Sequence, residues 1–394
     1  MCYSNTMLNV QKFLIDNSLA TLEREHGINF RFSTENPSKF SLNYDMIQTN
    51  VFDVYGMECR GLVLETPYRT VTPNMVVGET TVLASPMRRF HNIGQDHALF
   101  KNMAAPYHAY EKLDGTMCMV YFDHTLGQWC VATRSVPDAD LSAGEFTFRE
   151  LFWKSFQACG GNKDWLMTNP EAQCYTYIFE LCTPENKVVI YYKEYKTVLL
   201  AVKDNKSGME MPVEKFAQSL HVKTPNKMSF ETMEEIVKFV NDQNGHEYEG
   251  VVVCDSAFNR IKVKNAQYCL RNKRLDLIPK TRRLALKFVL DGTDDDMLDI
   301  VPEHVKDWFN ELRTNLIVLY RYMDSTYTSL REEFPERKHF AGQVFSNNML
   351  FSGFLMARYS GKCHSFNEWV QSHKKNNEWS NNLLDELLSA MTKV

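Results

Sequence analysis

Tyr110-Glu111-Lys112-Leu113-Asp114-Gly115 leads directly into Met117-Cys118-Met119-Val120-Tyr121-Phe122. The stretch reads as a lysine held in a tight turn that feeds a buried strand. Gly115 supplies backbone free of Cβ constraint. Asp114 suits a turn, because its side chain can bond nearby N–H groups. An amine displayed in this way can act as a covalent nucleophile. K-x-D-G fixes only three positions, and a solvated surface lysine fits it as well. The residues on either side must decide.

Upstream, residues 5–17 read as a helix. A β-rich stretch follows, with strands at Phe30–Phe32 and Lys39–Tyr44 around the turn Glu35-Asn36-Pro37-Ser38. A further strand is expected at Glu58–Leu64, then a basic and aromatic loop, Ser85–Asn92. Downstream come strands near 117–122 and 128–134 and a helix near 144–159. Tyr175–Leu181, Lys187–Tyr192 and Thr197–Val202 read as three more strands. Val213, Phe216, Ala217 and Leu220 mark one helix, and Met233, Ile236, Val237 and Val240 a second. Gly245 is placed to stop the latter. Strands at Gly250–Cys254 and Arg260–Lys264 follow. Strands cluster without regular βαβ alternation, which indicates an α+β fold. Beyond about residue 268 strand signals nearly vanish. Val305, Trp308, Phe309, Leu312, Leu316, Leu319, Tyr320 and Met323 form one helical stripe, with further helical stretches at Leu350–Met356 and Leu383–Met391. The expected domains are 1–267, α+β, and 268–394, all-α.

The chain has 394 residues, 44% hydrophobic and 24% charged, with a net charge of -5. That suffices for two or three domains with a sizeable core. A nucleic-acid partner would need a local basic surface, since no global basic bias exists. The ten cysteines form no C-x-x-C and have no zinc spacing with histidine, so they read as reduced thiols of a cytosolic protein. No window approaches the ~20 apolar residues of a membrane span, and the N-terminus lacks an apolar signal core. A soluble, cytoplasmic protein is expected.

Several charged residues sit where apolar ones would be ordinary. Lys262 and Lys264 lie two apart, on one strand face, beside Val251-Val252-Val253. They suit a phosphate clamp, or else protect an exposed edge strand. Glu180 lies inside Tyr177-Ile178-Phe179-Glu180-Leu181. It must be paired, metal-bound or facing a cleft, unless that strand is half exposed. Arg60 is either part of a site or a surface partner of Glu58. Together Arg60, Arg89, Lys112, Glu180, Glu249, Lys262 and Lys264 suit nucleotidyl transfer: a lysine nucleophile, cations for a triphosphate, and carboxylates for Mg²⁺ or a ribose.

At this point a resemblance enters. Lys112-x-Asp114-Gly115, Phe179-Glu180, Glu249-Gly250 and Lys262-x-Lys264 resemble motifs I, III, IV and V of the covalent nucleotidyltransferases, which include ATP-dependent ligases and mRNA capping enzymes. The pattern is most similar to the RNA ligase 1 family of T-even-type phages, which repairs broken tRNA. Glu58-Cys59-Arg60-Gly61 resembles that family's E-C-R-G, and Pro86-Met87-Arg88-Arg89-Phe90-His91-Asn92 its P-M-E-K-F-F-N. Thr183-Pro184-Glu185-Asn186-Lys187-Val188-Val189 resembles A-P-T-N-R-I-V, and Leu290–Asp296 resembles I-D-G-x-x-D-D.

The resemblance implies an adenylation domain of antiparallel sheets with flanking helices, then an all-helical domain that grips tRNA. It implies that Lys112 attacks the α-phosphate of ATP, that AMP passes to an RNA 5′-phosphate, and that a 3′-hydroxyl then seals the strand. It assigns Glu180 and Arg60 to the ribose, Arg89, Lys262 and Lys264 to phosphate, and Glu249 and Asp295 to Mg²⁺, with Mn²⁺ as an alternative. Lys262 and Lys264 are expected to depress the pKa of Lys112 by like-charge repulsion. Phe179 is a candidate to pack near adenine or in the core. An end-healing kinase/phosphatase is an implied partner, and the host cytoplasm the implied location. Three family positions differ here: Arg89 and Arg134 replace lysines and Leu42 replaces a tyrosine. Asp294-Asp295-Asp296 reads as an ion site or as a helix N-terminus that favours acids. The basic run Arg271, Lys273, Arg274, Lys280, Arg282, Arg283 and Lys287 reads as a phosphate contact or a solvated helix face.

Two other readings stand against an RNA ligase. DNA ligases and capping guanylyltransferases carry arginine two residues after the motif I glycine, where this chain has Met117, and they append an oligonucleotide-binding fold where this chain reads helical. A non-catalytic RNA-binding relative would lose Lys112 or the Lys262/Lys264 pair, and all three are present.

Overall fold

The computed structural model describes residues 7–45, 49, 53–94, 105–273, 279, 281–294, 301, 303–375 and 378–394. In chain order its strands are β1 (Ile28–Phe32), β2 (Lys39–Tyr44), β3 (Arg60–Glu65), β4 (Thr81–Ala84), β5 (His91–Asn92), β6 (Tyr107–Lys112), β7 (Thr116–Asp123) and β8 (Gln128–Thr133). They continue with β9 (Ser142–Ala143), β10 (Phe146–Thr147), β11 (Tyr175–Cys182), β12 (Lys196–Asp204), β13 (Glu210–Met211), β14 (Lys227–Phe230), β15 (Gly250–Cys254) and β16 (Arg260–Lys264). Three sheets carry the fold, in the orders β1-β2-β3-β4, β13-β12-β11-β7-β8 and β14-β6-β15-β16-β5. Every pairing in them is antiparallel except β16 with β5.

The second sheet is covered on both faces, which is why its strands are nearly continuous apolar runs. Tyr177, Phe179 and Leu181 of β11 point one way, into a core with Phe152 and Phe156 of the helix Phe148–Ala158. That helix starts at a reciprocal cap: Thr147 Oγ1 accepts from Glu150 N, and the Glu150 carboxylate accepts from Thr147 N. The Phe179 ring lies 5.2 Å from Phe152 and 6.0 Å from Phe156. Phe179 is therefore a core residue and not an adenine contact. Ile178, one residue on, faces the opposite core, made with Val63, Leu83 and Met119. The third sheet packs Ala109, Val251, Val253, Ile261 and Val263 against the helix Met233–Asp242.

Two expectations need correction. Lys187–Tyr192 is not a strand. The N–H groups of Val189 and Ile190 are taken by the Asp114 carboxylate, at 2.8 and 2.6 Å, so they are not offered to a neighbouring strand. The strand expected from Glu58 begins at Arg60, because Glu58 ends the helix Val54–Glu58. The Glu58 carboxylate accepts from Asn9 N and Val10 N, at 3.1 and 3.0 Å, at the start of the helix Asn9–Leu14. It is not an ion-pair partner of Arg60.

The chain divides into two compact units: Met1–Leu22, Ile28–Tyr44 and Thr49–Leu275 form one, and Glu23–Gly27, Asp45–Gln48 and Asp276–Val394 the other. The helix Ala266–Lys273 belongs to the first unit, because its Tyr268 and Cys269 are buried with Leu113 and Tyr192. The second unit is helical where described. Val305, Phe309, Leu312, Leu316, Leu319, Tyr320 and Met323 of the helix Glu303–Glu333 form its buried spine, as the spacing predicts. Arg282 pairs with Glu311, and Arg283 lies 2.6 Å from Asp385, so these two cations are spent within the helical unit. Among the described residues no helix is long and apolar enough to cross a membrane. Of the nine cysteines among the described residues, all free, six are buried.

Lys39 is fully buried on β2, with its Nζ 3.0 Å from Asp123 and 3.1 Å from Asp138. The Asp138 carboxylate also accepts from Ser33 Oγ and Thr34 N. One cation thus pins the first sheet to the second. Removing it would leave two buried carboxylates facing each other. Lys39→Met is expected to cost about 3–5 kcal/mol, read as a lower urea midpoint for this unit; an unchanged midpoint would show that the triad contributes nothing net.

Candidate active site

The register of the third sheet builds the site. Lys112 ends β6 and lies opposite Gly250 of β15, which lies opposite Lys264 of β16. With a side-chain period of two, the next rung on the same face is Tyr110, Val252 and Lys262, and the third is His108, Cys254 and Arg260. The odd residues between them, Glu111 apart, fill the apolar core on the other face. The polar face walls a cavity of about 410 Å³. Met117, Glu180 and Leu200 of the second sheet line it too, with Met87 and Phe90 of the basic and aromatic loop. Because β16 lies between β15 and β5, Lys262 and Lys264 do not guard an exposed edge.

Two glycines are required by close approach. A Cβ on Gly115 would lie 2.4 Å from the Leu181 carbonyl oxygen. Gly250 has φ +150°, and its Cβ would lie 2.1 Å from the Val263 carbonyl oxygen. Asp114 also differs from expectation. It is 3% exposed and makes long-range bonds instead of a local turn. Besides the two loop N–H groups, its carboxylate accepts from Tyr268 Oη at 2.7 Å. Its own N–H donates to Tyr192 Oη at 3.1 Å. Nothing in the local sequence signals Tyr192 or Tyr268 as supports of the lysine turn.

Glu249 sits between two cations. Its Oε1 is 2.8 Å from Lys112 Nζ and 3.4 Å from Lys264 Nζ, and the residue is 3% exposed. An ion pair thus stands where sequence reasoning placed like-charge repulsion. Glu249 Oε2 is buried with no hydrogen-bond partner among the described residues. Glu180 accepts from Gly115 N at 3.1 Å. Burial pushes its carboxyl up to about 7, with Lys112 and Arg60 pulling down and Glu249 pushing further up.

Arg60 donates to Met117 Sδ at 3.2 Å and lies 5.2 Å from the Phe90 ring centroid. Lys262 Nζ lies 5.3 Å from the same centroid. Phe90 therefore gathers two of the expected phosphate- and ribose-binding cations, a role that sequence reading left to the loop as a whole. Arg89 is placed differently. It is 4% exposed, stacks at 4.1 Å over Tyr44, and does not line the cavity. Arg134 stacks at 4.5 Å on the same ring and donates to Asn43 Oδ1. Leu42 is wholly buried. Sequence reasoning also missed the pair closing one side of the cavity: both terminal nitrogens of Arg260 donate to the Glu210 carboxylate. The period-two step from Lys262 back to Arg260 was the available signal.

Asp295 and Asp296 lie outside the described residues. Their neighbour Asp294 is buried and 2.5 Å from Arg313. Among the described residues no group of three or more His, Cys, Asp or Glu side chains is arranged to hold a metal. A divalent ion here would rest on few carboxylates and complete its shell with phosphate and water, the habit of Mg²⁺ at nucleotide sites. The unpartnered Glu249 Oε2 fits that role.

The raised Glu180 carboxyl has a testable sign. A carboxylate whose pKa is higher folded than unfolded weakens the fold as pH rises through the folded value. Relative to Glu180→Gln, the wild type is expected to lose about 1–3 kcal/mol between pH ~4.5 and pH ~8, read as diverging urea midpoints of the two proteins. Parallel midpoints across that range would refute the shift.

Comparison with known proteins places this geometry. A protein of Autographa californica nuclear polyhedrosis virus, named as a bifunctional polynucleotide kinase/RNA ligase, is 25% identical over 382 residues, covering 93% of this chain and 48% of that protein. The chain thus spans about half the length of that relative. An RNA ligase of Rhodothermus phage RM378 is 26% identical over 308 residues, 67% of this chain and 68% of its own. Among solved structures, a Naegleria gruberi RNA ligase mutant with ATP and Mn superposes over 44% of this chain and 53% of its own, at 16% identity and a TM-score of 0.35. An archaeal ATP-dependent RNA ligase covers 80% of this chain and 78% of its own, at 11% identity and a TM-score of 0.46. The signature of the RNA ligase family matches residues 58–268, which is more than half of the chain. That span runs from Glu58 to Tyr268 and takes in Lys112, Glu180, Glu249, Lys262 and Lys264: the chain belongs to the RNA ligase family.

Proposed function

We propose that this chain is an ATP-dependent RNA ligase that joins a 3′-hydroxyl to a 5′-phosphate. The observation that carries the reading is Lys112 Nζ at 2.8 Å from a buried Glu249, with Lys264 on the same oxygen, beside a cavity lined by Lys262, Arg60 and Glu180. An amine must lose a proton to attack phosphorus, and Glu249 Oε1 is within proton-transfer reach. Lys112 Nζ then bonds to the α-phosphorus of ATP as the bond to pyrophosphate breaks. Lys262 and Lys264 neutralise the charge that builds on the phosphate oxygens. Glu180 receives a ribose hydroxyl, with Arg60 beside it. In the second step a 5′-phosphate oxygen of RNA takes the AMP and the N–P bond of Lys112 breaks. In the third the 3′-hydroxyl attacks that 5′-phosphorus and AMP departs.

Mg²⁺ or Mn²⁺ held at Glu249 would supply further charge neutralisation at the phosphates. On the family likeness Asp295 is a second candidate ligand. Arg89 stacks with Arg134 on the Tyr44 ring, and in this reading it is a positioning residue outside the cavity. The substrate proposed is a nicked tRNA, with the helical unit holding its body. The kinase/RNA ligase name of the viral relative supports an end-healing kinase/phosphatase as partner, and the phage relative supports action in a host cytoplasm.

Intact mass after incubation with ATP and Mg²⁺ tests the core of this. One AMP adduct is expected on the wild type, none on Lys112→Ala, and none when the divalent ion is chelated. An adduct from GTP alone would favour capping chemistry. No adduct from folded, unadenylated protein would overturn the ligase reading. Glu249→Gln is expected to slow adduct formation by about 10²–10⁴-fold, measured by quenched time points.

A further inference from the structure

The segment 183–195 between β11 and β12 has no regular secondary structure, yet it is fixed from within. Asp114 holds the N–H groups of Val189 and Ile190. Asn186 exchanges hydrogen bonds with Thr116 Oγ1 at 3.1 and 2.9 Å. Ile190 and Tyr192 are buried against Leu113 and Tyr268. Between those two buried residues Tyr191 is 58% exposed, and Val188 is 49% exposed. A large ring held out in water by an anchored backbone is not explained by packing.

Charge identifies the partner. Lys187 and Lys193 are exposed, and neither is in an ion pair among the described residues. Of the two acids nearby, Glu185 is engaged by Tyr195 Oη at 2.6 Å and Lys154 at 3.3 Å, which leaves Glu194. An exposed aromatic ring flanked by free cations is the means by which proteins hold single-stranded RNA, by base stacking and phosphate neutralisation. We propose that the segment Thr183–Tyr195 is a docking platform for the RNA strand at the end to be joined, with Tyr191 stacking on a base and Lys187 and Lys193 taking its phosphates. The same carboxylate that anchors the platform lies two residues from Lys112, so the platform and the nucleophile share one support. The inference rests on the ligase reading and adds where the RNA strand is held.

The test separates ATP chemistry from RNA chemistry. Tyr191→Ala, Tyr191→Phe and a Lys187→Ala/Lys193→Ala double variant are compared with the wild type. One assay follows formation of the AMP adduct, and the other follows AMP transfer to a 5′-phosphorylated RNA oligonucleotide as its concentration is varied. Adduct formation is expected to stay within about twofold in all variants. The RNA concentration for half-maximal transfer is expected to rise about tenfold in Tyr191→Ala, to be restored in Tyr191→Phe, and to lose part of its salt dependence in the lysine double variant. A Tyr191→Ala protein with wild-type RNA dependence would overturn the platform while the ligase reading stands, as would Tyr191→Phe failing to rescue. A fall in adduct formation equal to the fall in transfer would make the ring a structural support and also overturn it. A wild type that neither forms nor transfers the adduct would overturn both readings.

Discussion

The buried carboxylate of Asp114 is the constraint on which the site depends. A carboxylate removed from water must be met by donors, and this one is met by two N–H groups of one loop and a tyrosine hydroxyl of a distant helix. Satisfying it fixes the loop 183–195, the helix Ala266–Lys273 and the turn after Lys112 together. The lysine is therefore positioned by a hub two residues away, and its own side chain stays available to Glu249.

The second organising fact is the alternation of the central sheet. One face of β6, β15 and β16 is apolar save Glu111 and packs on a helix; the other presents to a cavity three rungs that carry Lys112, Lys264, Lys262 and Arg260. Sheet register puts Lys112 and Lys264 across a gap on either side of Gly250, where the close approach of the Val263 carbonyl leaves no room for a Cβ. Glu249, buried beside both cations, keeps them from repelling each other across that gap. Burial of Glu180 beside this site pushes its carboxyl up to about 7, against the pull of Lys112 and Arg60.

The sequence motifs named most of the residues that meet around the cavity: Glu180 is a carboxylate in an apolar strand, Lys262 and Lys264 share one strand face, and Lys112 stands in K-x-D-G, all of which is visible in one dimension. Arg89 was named with equal ease and stands outside the cavity, over Tyr44. Its charge is legible in sequence; its direction depends on where the loop turns. Lys187–Tyr192 has the composition of a strand and is not one, because a carboxylate remote in sequence takes its N–H groups. β-propensity describes side chains suited to a sheet and carries no information about competing acceptors.

The sequence by itself determined the α+β character of residues up to about 268, the helical stripe from Val305 to Met323, the strand faces that bear the lysines and the reactive candidate Lys112. These follow from local periodicity and composition, which are properties of neighbours in the chain. Only the tertiary structure decided that Glu249 lies between Lys112 and Lys264, that Arg60 and Lys262 share the ring of Phe90, that Arg260 is bound to Glu210, and that Tyr192 and Tyr268 support the turn of Asp114. Each of these is a contact between residues far apart in sequence. Their distances are set by sheet register and core packing, which no local pattern encodes.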